Sequence, residues 1–161
     1  MEIKYLKYLE ENSIANPNDL DYPCPIEPIS LSEIETLETT YNNGNPFPKA
    51  LRELLYLAGT DCYVLDYGIH KSQDDLQKAE REYLKDYGRS ITRPFYVIDC
   101  YNDYESFLFI YLDEGDNPEV YAAYLPNSMT DKPPTFWSLG KSLSDYINSL
   151  INKVKQGFNP F

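Results

Sequence analysis

The order of segments along this chain predicts an α+β fold, with a central, mostly antiparallel sheet of about four to six strands and helices packed against it. Three observations carry that prediction. Two helical stripes, Leu31-Ile34-Leu37-Tyr41 and Leu51-Leu54-Leu55-Ala58, come early and are joined by a tight Asn/Gly/Pro turn. Runs rich in aromatic and β-branched residues, separated by short turns, fill the stretch from Phe95 to Leu125. The cleanest amphipathic stripe, Leu143, Tyr146, Ile147, Leu150, Ile151 and Val154, closes the chain.

Each element has its own local reason. Ile3, Leu6 and Leu9, with Tyr5, sit at roughly helical spacing, so a short helix is expected between Met1 and Ile14. Asn16-Pro17-Asn18-Asp19 breaks it. Pro23, Pro25 and Pro28 then hold an extended connector, because the residue before a proline is driven out of the helical region. Residues 1–28 are read as an arm packed on a single domain spanning 1–161. Ser30 caps the next helix, and Glu33, three residues on, completes a capping box. Asn43-Gly44 supplies a positive-φ stop, Pro48 suits the first position of a following helix, and Gly59 ends it.

Asp61 to Asp66 reads as a strand. Ser72 then opens a helix in which Leu76, Ala79, Tyr83, Leu84 and Tyr87 share one face, up to Gly88. Phe95–Cys100 is a strand. Ser106–Leu112 is a near-continuous apolar run, as expected of a central strand covered on both faces. Asp113 to Pro118 is an acidic hairpin loop, and Glu119–Leu125 the returning strand. A loop from Pro126 to Thr135 leads through Phe136-Trp137-Ser138-Leu139 to the last helix, capped by Ser142 and ended by Gly157.

Composition narrows the function classes. Lys plus Arg is 14 and Asp plus Glu is 26, a net charge of −12. Such a chain repels phosphate, so nucleic acid and anionic membranes are poor partners, whereas a basic protein would be attracted. Simple solubility is the alternative use of the same charge. Met1-Glu2-Ile3-Lys4-Tyr5 has no basic stretch followed by an apolar run, so no signal peptide is expected. The longest apolar run, Phe107–Leu112, is far too short to span a bilayer. Cys24, Cys62 and Cys100 are widely spaced, with no Cys-x-x-Cys, so neither a zinc site nor a disulfide framework is expected. Cys62 and Cys100 read as buried small hydrophobes in a reducing cytoplasm.

Catalytic constellations are missing from the pattern. His70 is the single histidine; it stands in a turn before a helix and reads as a solvated loop residue. There is no Gly-x-Ser-x-Gly elbow, phosphate-binding loop or Gly-x-Gly-x-x-Gly. Asp113-Glu114-Gly115-Asp116-Asn117 fails as a calcium loop, since its glycine is third rather than sixth. No enzyme, cofactor or metal is therefore expected. The 16 tyrosines point elsewhere, because tyrosine buries large area at low entropic cost and keeps a polar tip, as protein interfaces require. The candidate protein-binding residues are Asp99, Tyr101, Asp103, Tyr104 and Glu105 about one turn, and Asp113, Glu114 and Asp116 about the next. In an up-and-down sheet these two turns lie at opposite ends. The alternative is that the tyrosines are packing residues and the acids a solvated rim.

Ser30-x-x-Glu33-Ile34-x-x-Leu37-Glu38, a turn, then Phe47-Pro48-x-x-Leu51-x-Glu53-Leu54-Leu55 and Gly59 resembles the N-terminal signature of the SUKH superfamily, in which Leu-Pro is commoner than Phe-Pro. That superfamily includes bacterial immunity proteins and the Smi/Knr cell-wall regulators of yeast. Asp99–Leu112, the acidic Glu114–Asn117 hairpin, Val120-Tyr121 and Ser142–Ile147 extend the resemblance over roughly Ile29 to Ile151. The helix after Ser72 and the proline-rich arm read as elaborations. The resemblance implies a non-enzymatic cytoplasmic protein that binds and neutralises a cognate toxin, often a nuclease or deaminase, or alternatively a regulatory adaptor that binds cellular proteins. It carries no catalytic motif. Oligomeric state is left open.

Overall fold

The computed structural model describes residues 1–15, 23–67, 70–101, 106–125 and 135–158. The chain is α+β. Helices α1 (Lys7–Glu11), α2 (Leu31–Tyr41), α3 (Lys49–Ala58), α4 (Gln73–Asp86) and α5 (Leu143–Lys155) surround an antiparallel sheet of β3 (Phe95–Tyr101), β4 (Ser106–Tyr111), β5 (Glu119–Tyr124) and β6 (Thr135–Ser142), in that spatial order. A second, two-stranded sheet pairs β1 (Ile14–Ala15) with β2 (Cys24–Pro25). None of the described helices is long and apolar enough to cross a membrane.

The α2–α3 pair follows its local code. Ser30 Oγ accepts from the Glu33 amide at 3.2 Å, and the Glu33 carboxylate accepts from the Ser30 amide at 2.8 Å, so the capping box is closed. Asn43 and Gly44 take φ of 54° and 77°, and the Glu38 carboxylate, turned inward, accepts from the Phe47 amide at 2.7 Å to fix the turn. Gly59 is required by a close approach: a Cβ there would stand 2.5 Å from the Leu55 carbonyl oxygen and 2.8 Å from Ile29 Cγ1. The inner faces of α2, α3 and α5 meet Tyr96, Ile98, Leu108, Ile110 and Val120 on one face of the sheet.

The N-terminal residues join this core through Ile3, Leu6 and Leu9. α1 is shorter than the expected helix. Asn12 donates its side-chain amide to the Tyr8 carbonyl, its own carbonyl accepts from Tyr63 Oη at 2.6 Å, and the chain leaves the helix to pair as β1. The unpaired amides at the entry to α1 are satisfied from afar: those of Lys4, Tyr5 and Leu6 all donate to the Glu53 carboxylate, at 2.8, 2.7 and 2.9 Å.

α4 lies on the other face, where Leu76 and Leu84 meet Phe95, Val97, Cys100, Phe107 and Phe109. It also closes the outer edge of β3. The Gln77 side-chain amide donates to the Val97 carbonyl at 2.7 Å and accepts from the Val97 amide at 2.9 Å, as a neighbouring strand would. Arg81 donates to the Phe95 carbonyl at 2.7 Å, and the Cys100 amide donates to the Asp66 carbonyl at 3.0 Å. β4 is central and buried on both faces, as its apolar run predicts.

Two sequence expectations are corrected. Residues 61–66 form no strand beyond a single bridge between Asp61 and Glu27; Cys62, Tyr63, Val64 and Leu65 are all buried in a turn closed by the Leu65 amide on the Cys62 carbonyl. A four-residue apolar run has no period that separates strand from buried turn. Conversely, residues 135–142 form the edge strand β6, where the sequence predicts a loop ending at Thr135 and Phe136–Leu139 only leading to the last helix. Its pattern is broken by a register shift opposite Glu119/Tyr121 and by Gly140 at φ 66°.

Candidate functional site

In the β3–β4 pair, Tyr101 stands opposite Ser106 at one end of the sheet, and Phe95 opposite Tyr111, next to the Asp113–Asp116 turn, at the other. Asp103, Tyr104 and Glu105 lie outside the described residues. Asp99 departs from the expected rim position: it is fully buried. A register shift between Val97 and Asp99 breaks the alternation of β3, so that Asp99 stands opposite Leu108. There its carboxylate accepts from the Asp66 amide at 2.7 Å and from Tyr101 Oη, and Tyr101 Oη also meets Tyr146 Oη of α5 at 3.1 Å. Burial pushes the Asp99 carboxyl well above the usual carboxylate range, against those hydrogen bonds. Asp99 and Tyr101 thus tie β3 to α5 and to the 62–66 turn; Asp99 has no surface to offer a partner, while Tyr101 stays half-buried.

At the other turn the acids are on the surface. Arg93 bridges Asp113 and Glu114, lies 3.9 Å over the Tyr111 ring, and holds the Asp113 carboxyl below its ordinary value by hydrogen bonding. Glu114 also accepts from Tyr121 Oη at 3.1 Å. Asp116 is exposed, while its backbone carbonyl accepts from the Ala50 amide at the start of α3. Beside this turn the sheet carries a run of rings: Tyr111 packs edge-on against Tyr121, Tyr121 stacks on Phe109, and Phe136 of β6 meets Phe109 edge-on. Phe136 and Trp137 remain 40% and 47% exposed. Large apolar rings left in water on an edge strand mark a surface suited to a partner.

A second constellation went unpredicted. The His70 imidazole is only 8% exposed, not solvated as expected, and its Nε2 lies 4.0 Å from Glu80 Oε1. Cys100 completes a triad in which one ligand-type atom from each residue lies within 4.8 Å of the others. Glu80 is fully buried, and neither carboxylate oxygen has a hydrogen-bond partner. Burial raises its carboxyl to about 7 and the Cys100 thiol to about 12, and lowers the His70 imidazole. All three shifts favour the neutral forms. The residues come from three places: His70 before α4, Glu80 on α4, Cys100 on β3. Their separation in sequence explains why no spacing motif exposed them.

His70 also lines a cavity of about 220 Å³ between α2 and the start of α4, with Glu33, Thr36, Leu37, Tyr67 and Asp74 among its walls. No family model, no curated protein and no solved structure matches this chain.

Proposed function

We propose that this chain works by binding another protein, as an immunity protein that neutralises a basic toxin, and transforms no substrate. The observation that supports this most is the edge strand β6, where Phe136 and Trp137, on opposite faces of the sheet, both stay exposed. An edge strand offers unpaired backbone groups to an incoming strand, and flanking aromatics supply the buried anchors that dominate affinity. The acids Asp113, Glu114 and Asp116 and the net charge of −12 would draw in a basic partner and raise the association rate more than the affinity. The resemblance of the α2–α3 segment to the SUKH signature points the same way.

The test is co-expression with the product of an adjacent gene encoding a secreted toxin, scored for growth, with the purified pair compared at two salt concentrations. Rescue, an on-rate that falls with salt, and loss of binding in Phe136→Ala plus Trp137→Ala are expected. Absence of rescue together with capture of cellular proteins through the same rings would favour the regulatory adaptor instead.

A further inference from the structure

We propose that His70, Glu80 and Cys100 form a binding site for a zinc-class divalent cation. Three observations converge on it. First, the donor set is the one such ions select: an imidazole nitrogen, a thiol sulfur and a carboxylate oxygen, where magnesium or calcium would require oxygen ligands throughout. Second, the Glu80 carboxylate is shut off from solvent with both oxygens lacking a hydrogen-bond donor, although the other buried glutamates among the described residues, Glu38 and Glu53, each have one. A buried carboxylate in that state calls for a cation or a proton. Third, the charges close. A divalent ion with one thiolate, one carboxylate and one neutral imidazole is neutral overall, so the assembled site can stay buried without an uncompensated charge.

The geometry needs little adjustment. Ligand atoms around a tetrahedral zinc with one sulfur ligand lie about 3.3–3.5 Å apart, given bond lengths near 2.0 Å to nitrogen or oxygen and 2.3 Å to sulfur. His70 and Glu80 already stand at 4.0 Å and the whole set within 4.8 Å. Small side-chain rotations bring them in. On binding, the Cys100 thiol gives its proton to solvent and exchanges its contact with the Asp66 carbonyl, 3.6 Å away, for the metal–sulfur bond. Three protein ligands leave the fourth position to water, and His70, in the wall of the 220 Å³ cavity, connects the cluster with the outside. A bound ion would join α4, the segment before it and β3 at the sheet edge that α4 covers. The site is separate from the ring surface on β6, so either proposal stands or falls without the other.

The test uses the full chain, reduced and stripped with a chelator, titrated with cobalt(II) chloride and then zinc chloride. Expected are one equivalent of cobalt bound, a sulfur-to-cobalt charge-transfer band with the intense visible bands of tetrahedral cobalt, displacement by zinc, and a melting temperature that rises with zinc. Cys100→Ser should abolish the charge-transfer band. His70→Ala and Glu80→Gln should each weaken binding at least about tenfold, as even the outer partners of metal ligands do. Cys62→Ala and Cys24→Ala should leave band and affinity unchanged. Should a variant not fold, Glu80→Gln, which changes neither size nor shape, decides the question. Failure to saturate at one equivalent, displacement of cobalt by equimolar magnesium, or affinity unchanged in the three ligand variants would overturn the proposal.

Discussion

Glu53 on α3 and Glu80 on α4 are both closed off from solvent, on opposite sides of the same sheet. Glu53 receives three backbone amides, from Lys4, Tyr5 and Leu6, and so stands in for the missing first turn of α1. Glu80 receives none and instead faces His70 and Cys100. The two acids show why burial alone does not separate a structural charge from a functional one. What separates them is whether the fold supplies donors. A carboxylate met by amides fastens the chain to itself, whereas one left without donors destabilises the fold, a cost that the proposed cation would relieve.

The sharpest way to break that comparison is to remove both acids in the same manner. Glu53→Leu leaves three amides without an acceptor, two of them partly and one wholly buried, and should cost about 3–5 kcal/mol in urea denaturation. Glu80→Leu, in metal-free protein, removes a carboxylate that nothing satisfies and should be neutral or stabilising by up to about 2 kcal/mol. Equal losses for the two variants would mean that Glu80 is held by the fold after all.

Next in size is the edge of β3. Gln77→Ala leaves the Val97 amide and carbonyl without their partner and should cost about 2–3 kcal/mol. It should also promote association through the uncovered strand, read as a rise in light scattering on mild heating. The same substitution at exposed Lys78, one residue along α4, should do neither, since its ion pair with Asp74 is a surface pair.

Much of this architecture was legible because its signals are local. The Ser30–Glu33 capping box, the Asn43-Gly44 stop and the α5 stripe each depend on residues within a turn of one another. So does the apolar run of β4, whose length and lack of alternation already imply cover on both faces. What was not legible depends on the tertiary arrangement. Cys62–Leu65 is buried as a turn because Asp66 and Asp99 fix it against β3. β6 is a strand because β5 offers it an edge, although Gly140 spoils its pattern. The phase of β3 shifts at its bulge, which turns Asp99 inward; no period-two reading of Phe95–Tyr101 could show that. The His70–Glu80–Cys100 cluster is the extreme case, since its members share no local element. The acids of the Asp113–Asp116 turn, by contrast, are surface residues because a Gly/Asn hairpin must project them.

The smallest effect belongs to that turn, and it sharpens the contrast between surface and buried acids. Hydrogen bonding to Arg93 holds the Asp113 carboxyl below its ordinary value of 3.8. A depressed carboxyl stabilises the fold above that ordinary value, and the contribution is lost as pH falls through the folded one. Both partners are largely exposed, so solvent screens the pair and the effect on stability should be slight. Asp113→Asn should therefore differ little from the parent chain at about pH 6 and low salt, and that small difference should shrink as pH falls below the ordinary carboxyl value or salt rises to about 1 M. Its larger consequence should be kinetic. Without Asp113, Arg93 keeps only its pairing with Glu114, the turn beside Tyr111 is one negative charge poorer, and the on-rate of a basic partner should drop while its off-rate holds. A change confined to the off-rate would place Asp113 within the buried contact rather than at its rim.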